Sequence, residues 1–328
     1  MHKSVLLQES VEALNLKEGQ VVVDGTTNRA GHAVLLAQKI GNNGKLICVD
    51  LDAEALAEAK IVLQKNLKSE IKPQIFFVQD NFRNLQKILQ NLKIKNVNAV
   101  LVDLGVSSQE IDESGRGFSF QKNEPLLMTF AFPITAENLT AKEIVNEWSE
   151  ENLADIIYYY GDEKYSKRIA NNICAARKLK KIETTFDLVE IIANSVPAFY
   201  KKARLHFATK TFQALRIAVN DELKAEEDLL NSLSEILQDN GRASVITFHS
   251  GEDRIVKKFI KESKLEQQLE QATESNLEPK NNFKLIKFNK NRIESKFGQD
   301  FLQPNNLEIK NNSRARSAKL RVIEKVCN

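Results

Sequence analysis

The stretch "QVVVDGTTNRAGHAVLLAQKIGNNGKLICVD", residues 20–50, decides how the chain folds. Two short apolar runs, 20–24 and 45–50, are closed by Asp24 and Asp50, and residues 31–40 between them carry apolar side chains at helical spacing. Short aliphatic runs bounded by turn residues read as buried strands, and a helix between two of them makes a βαβ unit with parallel strands. The loop after Asp24 holds only Gly25 and Gly31. A dinucleotide cradle needs three glycines at fixed spacing so that backbone can approach a pyrophosphate, so on its own this loop reads as an ordinary turn.

The alternation continues outward. Residues 53–67 place Ala and Leu on one helical face, "QIFFVQD" (74–80) and "VNAVLVD" (97–103) are strands, and "FRNLQKILQNLK" between them is helical. Gly241 introduces a fifth strand, "RASVITF", and "FKLIKF" (283–288) with "AKLRVIE" (318–324) completes the sheet edge. The fold class is α/β, with a parallel sheet covered on both faces. Four strands end in aspartate, at 24, 50, 80 and 103. Any one of them is explained as a turn or cap residue. Four in register at the carboxyl ends of strands mark the edge where such sheets bind ligands, and Asp50 follows the loop at about the interval of a ribose-binding acid.

After Asp103 the alternation stops. Residues 107–133 are rich in Gly, Ser and aromatics without periodicity and read as an active-site or substrate loop. From Thr140 to about Tyr200 the signals are helical, with Thr140 and Glu143 at capping-box spacing and Ser149 as a second cap. One long helix is expected over 209–238. The expected domains are a core in two parts, 1–107 and 207–328, around a mostly helical insert, 108–206. Between Lys164 and Arg216 there are twelve Lys/Arg against three acids, whereas the whole 328-residue chain has a net charge of +3. Such an excess is either a solvated helical face or a footprint for phosphates.

Hydrophobic content of 42% supports one large domain or two modest ones. The first residues read as an amphipathic helix instead of a signal peptide, and no run approaches the roughly 18 apolar residues of a membrane span. Cys48, Cys174 and Cys327 lie far apart without metal or disulfide spacing, so no metal is expected and a reducing cytoplasm is the simplest setting.

The strings "VDLGVSS", "GRGFSF", "TFQALRIAVNDEL", "ITFHSGEDRIVK" and "SRARSAKLRVIE" resemble, in this order, the RsmH (MraW) family of bacterial methyltransferases, and the likeness runs from about His2 to Lys325. The resemblance implies a Rossmann-like class I methyltransferase core with an inserted all-α domain. It also implies S-adenosylmethionine as cofactor and methylation of the exocyclic N4 of a P-site cytidine in 16S ribosomal RNA. Its cofactor motif maps onto Ala30, Gly31, His32, Asp50, Phe82, Asp103 and Glu110. Asp103 is the first candidate for the group that accepts the amine proton, and His249 the second, with a capping role for His249 equally admissible. Phe118 and Phe120 are candidate base platforms, or else insert packing. Arg116, Arg204, Lys210, Arg216, Arg314 and Arg316 are candidate phosphate contacts. Implied partners are 16S rRNA or the small ribosomal subunit, with a homodimer admissible and no membrane.

The chain departs from the commoner family pattern at several positions. Asn28, Ala30 and Ala33 stand where Gly, Gly and Ser are usual, Glu110 where Gln is common, and Leu127, Thr129 and Ala131 where Asp, Arg and Asp are typical; Phe207 and Gly251 replace Pro and Leu. Alanine at 30 is comfortable only if that residue avoids a positive φ. A catalytically impaired RNA-binding relative is therefore the competing reading, and a nicotinamide enzyme a distant third.

Overall fold

The computed structural model describes residues 4–273, 282–288 and 298–326. The chain begins with α1 (Leu7–Glu12), then alternates β1 (Val21–Asp24), α2 (Gly31–Ile40), β2 (Lys45–Asp50), α3 (Ala53–Asn66), β3 (Gln74–Gln79), α4 (Leu85–Asn91) and β4 (Val97–Asp103). A helical run follows: α5 (Ser108–Asp112), α6 (Ala141–Glu147), α7 (Glu150–Tyr159), α8 (Ser166–Leu179), α9 (Thr185–Ser195), α10 (Ala198–Lys201), α11 (Thr209–Asn220) and α12 (Glu222–Ile236). The chain then returns to β5 (Leu237–Thr247), α13 (Ser250–Thr273), β6 (Phe283–Ile286), α14 (Asn306–Asn311) and β7 (Lys319–Lys325). Two compact units result, Met1–Gly105 with Leu223–Asn328, and Val106–Glu222.

In the first unit the seven strands lie in the order β3-β2-β1-β4-β5-β7-β6. β1 to β5 run parallel, and β7 is antiparallel to both β5 and β6. Strand periodicity sorts the core into two layers. Val22, Leu46, Cys48, Ala99 and Leu101 join the layer that holds α2 and α3 residues such as Leu36 and Leu63. Val23, Ile47, Val49, Val100 and Val102 join the opposite layer with Leu89, Leu233 and Phe259. Both faces being covered explains why the central strands read as continuous apolar runs. The chain winds outward from β1 to β3, then crosses to β4, so strand order reverses between β1 and β4, and it is at the carboxyl ends of such strands that open α/β sheets have their ligand crevice.

Asp253, at the start of α13, ties that helix to β7. It lies 2.8 Å from Lys257 Nζ, 2.9 Å from Lys319 Nζ and 2.8 Å from Arg321 Nε. Burial works to raise this carboxyl's pKa, but the three cations outweigh it and hold it down at about 2.

The second unit has its own core, in which Leu126, Ile144, Leu153, Ile157, Ile173, Leu188, Phe212 and Leu215 are buried together. Thr140 forms the expected capping box with Glu143, Ser149 caps α7 through the Asn152 amide, and Thr184 forms a further box with Asp187. The boundary expected after residue 206 falls instead after 222, and the long helix expected over 209–238 is two helices. Asp221 breaks it with φ 48° and ψ 42°. The two halves serve different cores: Phe212 and Leu215 of α11 belong to the helical unit, and Leu229, Leu233 and Ile236 of α12 to the sheet. The expected fifth strand begins at Leu237, before Gly241, with a register irregularity against β4. Cys327 and His2 lie outside the described residues, and among the described residues no helix is long and apolar enough to cross a membrane.

The capping box at Thr140 gives a direct check. Thr140→Ala is expected to lower stability by about 1 kcal/mol, read as a shift in the denaturant midpoint with an unchanged slope.

Candidate active site

The crevice at the ends of β1, β2 and β4 is lined by carboxylates. Asp50 accepts hydrogen bonds from the Asn28 amide at 2.8 Å and the Asp52 amide at 3.0 Å, so it pins the loop that follows β1. Thr26 reaches across from the same loop, its hydroxyl accepting from the Asp103 amide at 2.7 Å. Asp24 is fully buried at 0% exposure. Its Oδ2 and the Oδ1 of Asp103 are both buried and accept no hydrogen bond among the described residues.

Burial dominates the acidity of all three. It pushes Asp24 up to about 7; the Thr26 amide opposes the rise, and the charge of Asp50 adds to it. Asp103 is raised well above the usual carboxylate range by burial, then by the charges of Asp24, Glu252 and Glu308. Burial also raises Asp50, with the Asp52 and Asn28 amides working against it. Buried carboxylates with open oxygens in mutual repulsion are a site for positive charge or for a donated proton.

The loop that frames them is strained where it departs from glycine. Asn28 has φ 47° and Ala30 has φ 61°. Asparagine visits the left-handed region readily, whereas for alanine it costs roughly 1–2 kcal/mol. The condition under which alanine is comfortable at position 30 is therefore not met. Gly31 has a different reason to be glycine, because a Cβ there would run into the Ser4 hydroxyl. A Cβ on Gly25 would meet Val102 Cγ1 at 2.8 Å and Phe82 Cβ at 3.3 Å, which puts half-buried Phe82 beside the loop. The Asp80 amide donates to the Asp50 carbonyl at 3.1 Å and so carries the chain from β3 to Phe82 at the same edge. His32 is buried, with Nε2 3.3 Å from the Val5 carbonyl, and braces α2 against the N-terminal segment.

His249 is engaged with Glu252. Its Nδ1 accepts from the Glu252 amide at 3.3 Å, and Nε2 lies 3.2 Å from Glu252 Oε1. The same carboxylate accepts from the Phe248 amide at 2.6 Å and the His249 amide at 3.2 Å. These contacts are the N-terminal brace of α13. They agree with the bracing role that the sequence admitted for His249, while its buried Nε2 makes no hydrogen bond among the described residues.

The sequence matches known proteins along its length. A solved rRNA methylase structure from Streptococcus thermophilus aligns with 100% of this chain and 99% of its own at 11% identity, with a TM-score of 0.42. Two relatives, each named Ribosomal RNA small subunit methyltransferase H, come from Finegoldia magna and Streptococcus mutans. The first is 41% identical and spans 99% of this chain and 98% of the relative; the second is 42% identical and spans 100% and 98%. The model of the MraW methylase family matches residues 1–326.

The chain belongs to the MraW methylase family.

Within this family member, several residues expected to meet RNA are committed elsewhere. Arg116 is only 6% exposed, and its guanidinium donates to the Thr129 carbonyl at 3.3 Å and the Phe130 carbonyl at 3.0 Å. It also lies 3.8 Å from Glu110, so it clamps the 127–131 loop and has no free face for a phosphate. Glu110 caps α5, accepting from the Ser107 amide at 2.7 Å and donating its own amide to the Ser107 hydroxyl at 3.2 Å. Arg216 is paired with Glu222 through two bonds of 2.7 and 2.8 Å, which corrects its assignment as a phosphate contact. Phe118 is buried and stacks on Phe130 at 5.5 Å, so it packs the insert and is not an open base platform. Half-buried Phe120 stacks on His206 at 4.4 Å and meets Phe212 edge-on. Lys210 donates to the Asp162 carbonyl. Arg204 and Arg316 are exposed, and Arg314 is half-buried.

Two contributors escaped the sequence reading, and a third was read without its rank. Asp24 was visible as a strand-end acid, but nothing local marked it as the most buried of the four. Thr26 gave no signal. Asn220 accepts from the Phe130 amide at 2.7 Å and donates to the Met128 carbonyl at 2.7 Å, fixing the loop that lost its charges at Leu127, Thr129 and Ala131.

Two stability outcomes follow. Ala30→Gly is expected to be near neutral, because relief of the positive φ offsets the lost methyl, while Ala37→Gly inside α2 costs about 1–2 kcal/mol; differential scanning of both variants checks this. For Asp24, the folded protein keeps its proton up to about 7, while the unfolded chain loses it near the ordinary carboxylate value. Stability of the ligand-free protein therefore falls as pH rises from roughly 4 to roughly 7, by on the order of 4 kcal/mol, and Asp24→Asn removes that fall.

Proposed function

We propose that the chain is an S-adenosylmethionine-dependent methyltransferase of small-subunit ribosomal RNA that modifies the exocyclic N4 of a P-site cytidine. The observation that carries this is the pair of buried, unpartnered carboxylate oxygens on Asp24 and Asp103 at the strand-order reversal. They suit a ligand with positive charge and need no pyrophosphate cradle. The names of the relatives and the family-wide match support the substrate class.

The residues present fit the cofactor. Asp24 meets positive charge, Asp50 offers acceptor oxygens to hydroxyls while it holds the loop, and Phe82 supplies an aromatic face at the next strand end. S-adenosylmethionine supplies an activated methyl group when bound. Asp103 does the protein's part of the chemistry. Its Oδ1 accepts a hydrogen bond from the cytosine amine, which restores electron density to a nitrogen conjugated with the ring, and it takes the proton that the nitrogen sheds on methylation. Burial, which raises its pKa, makes it a stronger base than an exposed aspartate. Main-chain clamps hold the elements around it, in keeping with a displacement that depends on alignment.

Calorimetric titration with S-adenosylmethionine, followed by methyl incorporation into small-subunit RNA or subunits, tests the reading. A folded protein that binds no cofactor overturns it and leaves the RNA-binding alternative. Asp50→Ala is expected to weaken cofactor binding, whereas Asp103→Ala mainly lowers turnover; equal cofactor loss in both contradicts that division. Because cation binding requires Asp24 ionised, cofactor affinity is expected to rise about tenfold from pH 6 to pH 8, and Asp24→Asn to flatten the profile at lower affinity.

A further inference from the structure

The helical unit carries a group of rings and cations that the crevice does not use. Glu163, with 0% exposure, accepts the Tyr200 hydroxyl at 2.6 Å and the Tyr165 amide at 2.9 Å. These bonds hold the two tyrosines edge to face, with ring centroids 5.1 Å apart. The exposed Lys164 ammonium lies 5.1 Å from the Tyr165 ring, 5.4 Å from Tyr200 and 6.0 Å from Phe199. A buried carboxylate thus fixes the walls against which Lys164 rests, so this cation is positioned before any ligand arrives.

Phe199 is 66% exposed on α10. Lys201, Lys202 and Arg204 follow it, all exposed, and none of them, nor Lys164, has an acidic partner among the described residues. Asp162, the exposed acid two residues before Lys164, lies 3.9 Å from Lys210, which partly neutralises it. An open ring beside Lys164, followed in the chain by three more exposed cations, asks for a ligand with flat apolar faces and regularly spaced negative charge. Unpaired RNA has both. A duplex hides its base faces, and an acidic peptide satisfies the charges but leaves the ring uncovered.

We propose that Phe199 is a stacking platform for an unpaired base of the RNA substrate, with Lys164, Lys201, Lys202 and Arg204 as its phosphate contacts. This subsite rests on the RNA-methylation reading and is tested apart from it. Full-length protein is titrated with a labelled unpaired RNA oligonucleotide and with a hairpin of the same composition, and methyl transfer to small-subunit RNA is measured alongside. Phe199→Ala and Phe199→Leu are each expected to weaken binding of the unpaired RNA by roughly five- to a hundredfold, with cofactor binding and melting temperature unchanged. Replacing Lys201, Lys202 and Arg204 together by alanine is expected to reduce the log–log salt slope by about two. Wild-type affinity in Phe199→Ala, or an equal loss for the hairpin, overturns the platform while leaving the methyltransferase reading intact. Variants that bind naked RNA normally but lose the ribosomal particle place a protein on this face and overturn it too. Failure of the wild type to bind or methylate RNA removes both readings together.

Discussion

The sheet unit buries aspartates at the ends of neighbouring parallel strands, and their loss of water, more than their mutual repulsion, sets their acidity. Asp24 and Asp103 keep open oxygens in a buried crevice, a placement that a structure under selection for stability alone avoids. Asp50 escapes the same fate by accepting two loop amides. In the proposed function these open oxygens are what meets the cationic cofactor. They also explain why a loop poor in glycine suffices, since no pyrophosphate has to be wrapped by backbone.

The same trade is visible in the loop's own backbone. Ala30 sits at a left-handed position where the family usually has glycine, and the closely packed α2 and N-terminal segment hold it there. Asn28 solves the same problem more cheaply. In the helical unit, Arg116 and Asn220 perform the corresponding service for the 127–131 loop, through carbonyls and amides instead of the charged side chains it lacks. Loss of those charges therefore leaves the loop's backbone anchored.

Much of the sheet was legible from residues. The valine and isoleucine runs at 21–24, 45–50 and 97–103 are strands because both of their faces are covered, and Thr140 and Ser149 cap helices because their hydroxyls meet amides three residues on. Such signals are local, so sequence carries them. The helix expected over 209–238 failed for the opposite reason. Its apolar spacing is continuous, yet Phe212 and Leu233 belong to different cores, and only the assembled units show that Asp221 must turn the chain.

The candidate site divides in the same way. Sequence by itself determined the strand-end aspartates, the motif strings that carry the family likeness and the excess of positive charge before residue 216, because each depends on residue identity and spacing. Tertiary structure alone decided which side chains are free. Arg116 and Arg216 are spent on a carbonyl clamp and an ion pair, and Phe118 on packing, while Phe199 and the cations near it in sequence stay open. Burial and pairing arise from partners far away in the chain, and a residue's own type does not record them.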